Sequence, residues 1–565
     1  MQRLSIAKRG FAAIAAAAAM GTALAAAAGL FAAPAVARVA AHTAASSTLV
    51  MESSPTNSIP DSFNPFDPAG ASYLLGGTSL IYETLLQFDV AKPTQVYDML
   101  ASAYKWGAGG KSITFTIRSG INWSDGQPLT PADVVFTYTL LMNNAPANTD
   151  GLPITGVSAS GNQVTITFSS SQYTNLQYIA NQYIVPQHIW SSITGPATAT
   201  ITNPIGTGPY ELDTFSSSTG FTLKANPGYW GGPFNVGGGE PAVKEVDFPL
   251  IASNTDVLAA LENNSLDWAG NFLSGLGAFT STPGHATYFA PVQTNTFYPN
   301  LSRWPTNQLA VRQAISDAID RNAISKQGEA GLEPVATNAS GLVLPNFGNV
   351  LAPSVKKFTL SASANISAAK AVLTAAGYTI KNGCFQKGGK AVKFTIIDPA
   401  SYTDYAADDA LAASQLKKAD ICATFDGLSV PAWSSDIATG NFQVMQHWSQ
   451  TSISPYVLYD NWLNSALITS NRNGNFEGLR NSAIDQDLAK LGTAISTQAQ
   501  LKYLTPIETY VAKQLPVIPT VYGAAFDEYN SSAFTGWPTK TNNYESGSPN
   551  TPTNEIVVLH LKPAA

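Results

Sequence analysis

Residues 113–138 read ITFTIRSGINWSDGQPLTPADVVFTY, and they form one compact folding device. Ile113, Phe115 and Ile117 alternate with Thr114 and Thr116, which predicts a strand with one buried face. Trp123, Ser124, Asp125 and Gly126 predict a turn, with Gly126 free to take a positive φ. A helix opens at Thr130. Thr130 suits the N-cap, Pro131 the first helical position, and Asp133 the positive end of the helix dipole. Val134, Val135, Tyr138, Leu141 and Met142 then share an apolar helix face. The stretch holds no catalytic or metal-binding constellation, so its information concerns the scaffold.

Working outward, the chain keeps alternating strands and helices. Strands are expected at 48–52, 164–168, 221–225 and 243–248, with helices near Leu80 and over 255–262. Beyond residue 294 the pattern becomes helix, strand, helix, strand. A helix is expected over 308–324 and another over 367–376, stopped by Gly377. A strand at 392–397, a helix at 403–418 and a strand at 421–425 make a βαβ unit, hence a parallel pair. Further expected elements are a strand at 443–447, helices at 481–495 and 500–515, and a last strand at 556–561. At 565 residues the chain exceeds one hydrophobic core, so at least two lobes follow.

Arg3, Lys8 and Arg9 precede an uncharged, Ala-rich run that ends in Ala35-Val36-Ala37. This predicts a signal peptide over 1–37, cleaved after Ala37; the alternative is a retained membrane anchor. No Cys lies nearby, so the lipobox of lipid-anchored exported proteins is absent. Removing the leader takes the formal charge from −7 to −10, and that mild acidity leaves no footprint for nucleic acid. Only 12% of residues are charged. The two cysteines, Cys384 and Cys422, are expected to pair in an exported chain, with two buried free thiols as the alternative. The five histidines show no metal-ligand spacing with them.

The opening stretch resembles a motif of the family 5 extracellular solute-binding proteins of ABC importers, the oligopeptide- and dipeptide-binding type. Ile117-Arg118, Gly120, Trp123, Asp125-Gly126, Pro128-Leu129-Thr130 and Asp133-Val134 fall on it. Five other segments stand in the family's order: NPFDP (64–68), SLIYETLLQFD (79–89), NPIGTGPYEL (203–212), LKANPGYWGGPF (223–234) and NLSRWPTNQLAVRQAISDAIDR (300–321). The resemblance runs from residue 48 to 545. It implies an α/β, bilobal, type II periplasmic-binding-protein fold whose lobes close on a hinge. The implied division is lobe I over 38–95, an inserted domain Ib over 96–202, lobe I again over 203–293, lobe II over 294–522, and a return to lobe I over 523–565. It further implies a monomer without cofactor, exported to the outer face of the cell membrane, that delivers its ligand to a membrane permease.

Ligand contacts are expected from Asn64, Gly206, Thr207, Asn300, Trp433, His447, Trp448 and Tyr456. Aromatic faces and a few polar anchors suit a cleft. Arg312, Asp320 and Arg321 are expected on an exposed or partly paired helix face. Oligopeptide binders of the family carry an Asp close behind the Trp of the segment at 447–463, where it holds the peptide's α-ammonium. Here that segment reads HWSQTSISPYVLYDNWL, and its first acid, Asp460, comes twelve residues after Trp448. Peptide is the leading ligand class, and oligosaccharide is the alternative that the missing anchor and the aromatics support. A secreted glycosidase is the remaining reading. It would need two facing carboxylates, and Asp408 and Asp409 are adjacent on a helix. No G-x-S-x-G, H-E-x-x-H or P-loop motif occurs, so the chain is read as a binder and not an enzyme.

Overall fold

The computed structural model of the chain describes residues 47–232 and 239–564. The expected leader at 1–37 and the loop glycines Gly237 and Gly238 lie outside them. In the first lobe the strand Thr48–Glu52 runs parallel to Glu245–Pro249 on one side and to Trp268–Ala269 on the other. They form the middle of a seven-stranded sheet. Successive side chains of a strand point to opposite faces. Leu49 and Met51 therefore enter one apolar core, while Val50 enters a second with Val257 and Leu261 of the helix Asn254–Glu262. A strand covered on both faces needs a continuous apolar run rather than alternation.

The opening stretch builds a separate antiparallel sheet of four strands, Ala101–Trp106, Ser112–Ile117, Gln163–Phe168 and Ile154–Ser160. Ile113, Phe115 and Ile117 are buried against Val134, Tyr138 and Leu141 of the helix Pro131–Asn143, as the alternation predicts. Gly126 has φ 85°, and Trp123 is buried. Asp133 does more than sit near a dipole. One carboxyl oxygen accepts Thr130 N–H at 2.8 Å, and the other accepts Gln187 N–H at 2.9 Å. The core of this inserted domain is continuous with that of the first lobe.

The second lobe has its own five-stranded sheet and its own core, drawn from Phe297 to Tyr522. The βαβ unit is Lys393–Pro399, Thr403–Lys418 and Cys422–Leu428, with the strands parallel. Val444–Trp448 lies beside it, then Asn295–Pro299 and Ile518–Val521. Cys384 and Cys422 are joined, with Cα atoms 5.8 Å apart, tying the small sheet at 379–391 to the start of the strand Cys422–Leu428. Two crossings connect the lobes. Ala290–Pro291 pairs antiparallel with Ala524–Ala525, and Gly523 O accepts from Val292 N (2.9 Å) and Gln293 N (3.2 Å). A Cβ on Gly523 would lie 2.6 Å from Gln293 Cγ and 2.9 Å from Asn295 Oδ1, so a larger residue there would displace those side chains.

Three expectations change. Residues expected as a last strand are part of the helix Asn554–His560. Ile556, Val557, Val558 and Leu559 are all buried; a short, wholly apolar run does not distinguish strand from helix by period. The helix expected over 308–324 is Leu309–Ala318, which ends before Asp320 caps a new turn by accepting Ala323 N–H at 3.0 Å. Arg312 and Arg321 are buried, not surface residues. Arg312 donates to Gln514 O and Leu515 O, the carbonyls closing the helix Thr497–Gln514, and to Thr306 O. Arg321 donates to Pro519 O, Ser316 O and Ser361 O. Backbone acceptors take the place of carboxylates.

Replacing Asp133 by Ala removes an acceptor from two N–H groups. The expected cost is about 1–2 kcal/mol, read as a lower urea midpoint at unchanged m-value. An unmoved midpoint would show that the helix cap contributes nothing.

Candidate functional site

The helix Pro455–Leu463 begins with Pro455, which suits a first helical position. Residues three and four apart share a helix face. Leu458, Tyr459 and Trp462 enter the core of the second lobe. Tyr459 Oη donates to Ser340 O at 3.0 Å, and Trp462 Nε1 donates to Tyr298 Oη at 2.7 Å. The other face carries Tyr456, Asp460 and Asn461 into a cavity of about 280 Å³ between this lobe and the inserted domain. The inserted domain contributes Asp150, Ser170, Asn175 and Tyr178 to the facing wall.

A second cavity of about 300 Å³ shares Asp150, Tyr178 and Gln450 with the first and reaches Tyr73, Ser79 and Asn550 of the first lobe. All three bodies thus meet around one polar space. No Lys, Arg or His is among the described residues that line it. Its carboxyls are Asp150, which accepts from Gln182 Nε2 at 2.6 Å, and Asp460, which accepts from Asn464 Nδ2 at 2.9 Å. Contacts beside it are polar. Gln177 Oε1 accepts from Ser452 Oγ and Ile453 N, each at 3.1 Å, and Thr174 Oγ1 donates to Gly492 O at 3.4 Å.

Of the eight residues expected at the ligand, only Tyr456 lines this space. Asn64 is fully buried. Its amide donates to Pro196 O and Ala199 O, both at 2.8 Å, and its carbonyl accepts Phe66 N–H. Gly206 lets the loop pass Ile81, whose carbonyl oxygen would lie 1.8 Å from an added Cβ. Thr207 is buried beside Glu83. Asn300 is fully buried and ties Gly440 O (3.1 Å) and Phe442 O (3.0 Å) to its own turn. Trp433 is a core residue stacked on His447 at 5.5 Å and 9°. Burial pulls the His447 imidazole down to about 4, so it is neutral, and Nδ1 pairs with Trp448 O at 2.7 Å. Trp448 is half-buried among Tyr402, Tyr405 and His447. Asp408 and Asp409 are buried inside the second lobe and do not face each other across a cleft.

Sequence reasoning missed Asp150, Tyr178 and Gln450, for which no motif gave a signal. Asp460 did carry one. It follows Tyr456 by four residues, so a helix there brings both to one face. The first acid after Trp448 therefore lines the cavity.

Two α/β lobes with separate cores, two crossing strands and a polar space between them define a hinged solute-binding fold. The profile of the bacterial extracellular solute-binding proteins, family 5 (middle region), matches residues 95–470, and the chain belongs to that family. It is similar to the probable peptide-binding protein YejA of Agrobacterium fabrum, 28% identical over 37% of this chain and 35% of that one. The chain aligns with 35%, 47% and 57% of the length of three curated relatives that it matches. Its fold resembles that of a periplasmic oligopeptide-binding protein of an ABC transporter from Thermotoga maritima. That match has a TM-score of 0.82 at 24% identity, and covers 91% of this chain and 99% of the other. A mannohexaose-bound structure of the Thermotoga protein gives 0.75 at 24% identity, covering 91% and 98%.

Asn64→Ala and Asn300→Ala each strand two buried carbonyls. Each is expected to lower stability by about 1–3 kcal/mol, while Tyr456→Ala, at a cavity wall, changes it least of the three. Thermal melts of the variants side by side check this. A Tyr456 variant less stable than both Asn variants would reverse the assignment.

Proposed function

We propose that the protein is the extracytoplasmic substrate-binding component of an ABC importer, capturing an oligopeptide between its lobes and handing it to a membrane permease. The observation that carries this reading is the polar space walled by all three bodies, beside two short crossing strands. Such a geometry lets hinge closure bring both walls onto one ligand, so that contacts made only in the closed state drive closure. Family membership and the non-enzymatic names of the relatives support the same role.

Peptide leads because the space holds two carboxyls, Asp150 and Asp460, and no base. An α-ammonium or a basic side chain finds a partner there. A carboxylate does not, so the peptide's C-terminus would project from the cavity or bind through neutral donors. The amides and hydroxyls of Ser170, Asn175, Gln450 and Asn461 suit main-chain groups. Tyr456 and Tyr178 supply aromatic faces. A second reading, a neutral oligosaccharide, rests on the same amides with the rings of Tyr73, Tyr178 and Tyr456, and on the mannohexaose held by the Thermotoga protein.

Tryptophan fluorescence titrated with a peptide pool and with a manno-oligosaccharide pool separates the two. A peptide response is expected, and Asp460→Asn should weaken it about tenfold or more, since charge-assisted hydrogen bonds contribute over 1.4 kcal/mol. A response to the oligosaccharides alone, indifferent to Asp460→Asn, would establish the second reading. Silence with both pools would overturn the assignment.

A further inference from the structure

The most unusual chemistry of the molecule lies outside the cavity, at the hinge end of the second lobe. Six carboxyls gather there from a helix, a strand and a loop. Asp404, Asp408 and Asp409 come from the helix Thr403–Lys418, Asp398 from the strand Lys393–Pro399, and Glu329 and Glu333 from the loop before the lobe rejoins its sheet. Glu329, Glu333, Asp398, Asp408 and Asp409 are all buried. Among the described residues none of the six forms an ion pair; the four ion pairs involve Asp125, Glu240, Asp420 and Asp487 instead. The other titratable groups facing the cluster are Tyr402 and Tyr405, with neutral His447 one ring further out, behind Trp448.

The cluster has hydrogen-bond donors for only some of its oxygens. Gln446 Nε2 donates to Asp408 Oδ2 at 2.9 Å, and Asn295 Nδ2 donates to Glu333 Oε2 at 2.6 Å. Tyr405 Oη spends its proton on Asn295 Oδ1 at 3.0 Å. Both oxygens of Asp409 find no donor nitrogen or hydroxyl, and Glu329 has only the Asn295 amide and the Asp408 carboxyl beside it. Glu329 and Asp408 meet carboxyl to carboxyl, which bonds only when one of them carries a proton. Unpaired buried carboxylates are far costlier than neutral acids.

Glu333 links this cluster to the hinge. Its Oε1 accepts the N–H of Ala524 at 3.0 Å, and Ala524 belongs to one crossing strand. Its Oε2 accepts from Asn295, the first residue of the strand that follows the other crossing. One carboxyl therefore ties a crossing to the first residue of a second-lobe strand. We propose that the cluster is a pH-dependent latch on the hinge: while its carboxyls are neutral Glu333 holds Ala524 to Asn295, and deprotonation of Glu329, Asp408 and Asp409 sets like charges beside Glu333 and loosens that hold. The proposal rests on the hinged-binder reading and adds a working condition to it, a pH below about 8.

The sign follows from linkage. Burial first, then the charge of Asp404, pushes Glu329 up to about 8, from a usual 4.5. Burial, and after it the neighbouring acids, holds Glu333 and Asp408 well above the carboxylate range, and burial alone does so for Asp409. The native state then binds more protons than the unfolded chain between those values. Stability is fully present below the unfolded value, near 4.5, and is lost as pH rises through about 8.

The test uses the mature full-length protein without ligand, with amide hydrogen exchange at residues 522–525 and thermal melts at about pH 5 and about pH 8. In the parent, Tm should fall by about 5 °C or more toward the higher pH. Protection at 522–525, corrected for intrinsic rates, should drop about tenfold more than that of the first-lobe core. The variant carrying Glu329→Gln and Asp409→Asn mimics the protonated pair. It should keep hinge protection at the higher pH. Should that variant fail to fold, the parent's own ratio of hinge to core protection decides. A Tm that rises with pH, or hinge amides that loosen only in step with the whole core, overturns the latch. Because no ligand is present, failure here leaves the binding reading to its own titration.

Discussion

The two apolar cores of this protein do not merge. One is drawn from residues between Phe297 and Tyr522, the other from the first lobe and the inserted domain. Between them lie main chain and polar side chains, with a few apolar contacts such as Ile453: Gly523 O holds two N–H groups, Asn346 Nδ2 donates to Pro291 O at 2.7 Å, and Gln177 bridges to Ser452 and Ile453. Such bonds exchange with water at a net cost of about 1 kcal/mol each. An apolar interface of the same extent would resist separation far more strongly. A movable junction therefore has to be polar, and the cavity sits at that junction.

Charge is distributed to match. The outside is sparsely charged, and the interior separates its acids from its bases. Arg312 and Arg321 donate to backbone carbonyls, while the buried acids bond amides, hydroxyls and one another. In the first lobe Glu83 and Glu555 both lie within reach of one donor, Tyr229 Oη, at 3.1 and 3.3 Å. Among the described residues no ion pair is buried, so salt screening and surface pairing count for little. The fold responds instead to the proton.

Much of the scaffold was legible because local and tertiary preferences agreed. Residues 113–138 have strand period, turn glycine and helix cap in register with a one-sided core. The βαβ unit at 393–428 was equally plain. Residues 556–559 were misread because an element buried on all sides carries no period. The site was less legible. Asn64, Thr207, Asn300 and Trp433 stand in conspicuous local contexts, and such contexts mark turns and cores as readily as clefts. The residues that do wall the cavity come from loops and from several helices, among them Pro455–Leu463 and the short Leu176–Ala180. Asp150 and Gln450 adjoin only through the tertiary fold, and a sequence without a motif gives no sign of that.

The helix Pro455–Leu463 shows how recognition and hinge share one rigid part. Its cavity face is Tyr456, Asp460 and Asn461. Its core face is pinned at Trp462, whose ring lies so close to Gly341 that an added Cβ would fall 2.5 Å from it. Trp462 also donates to Tyr298 on the strand Asn295–Pro299. Gly341 O in turn accepts from Thr294 Oγ1 at 2.8 Å, one residue before that strand begins. The chain of contacts from cavity wall to crossing is therefore short and closely packed. Packed interiors transmit displacement rather than absorb it. On the proposed reading, a ligand held by Tyr456 and Asp460 would act on the second lobe as a body, with the paired crossings at 290–293 and 523–525 as the hinge.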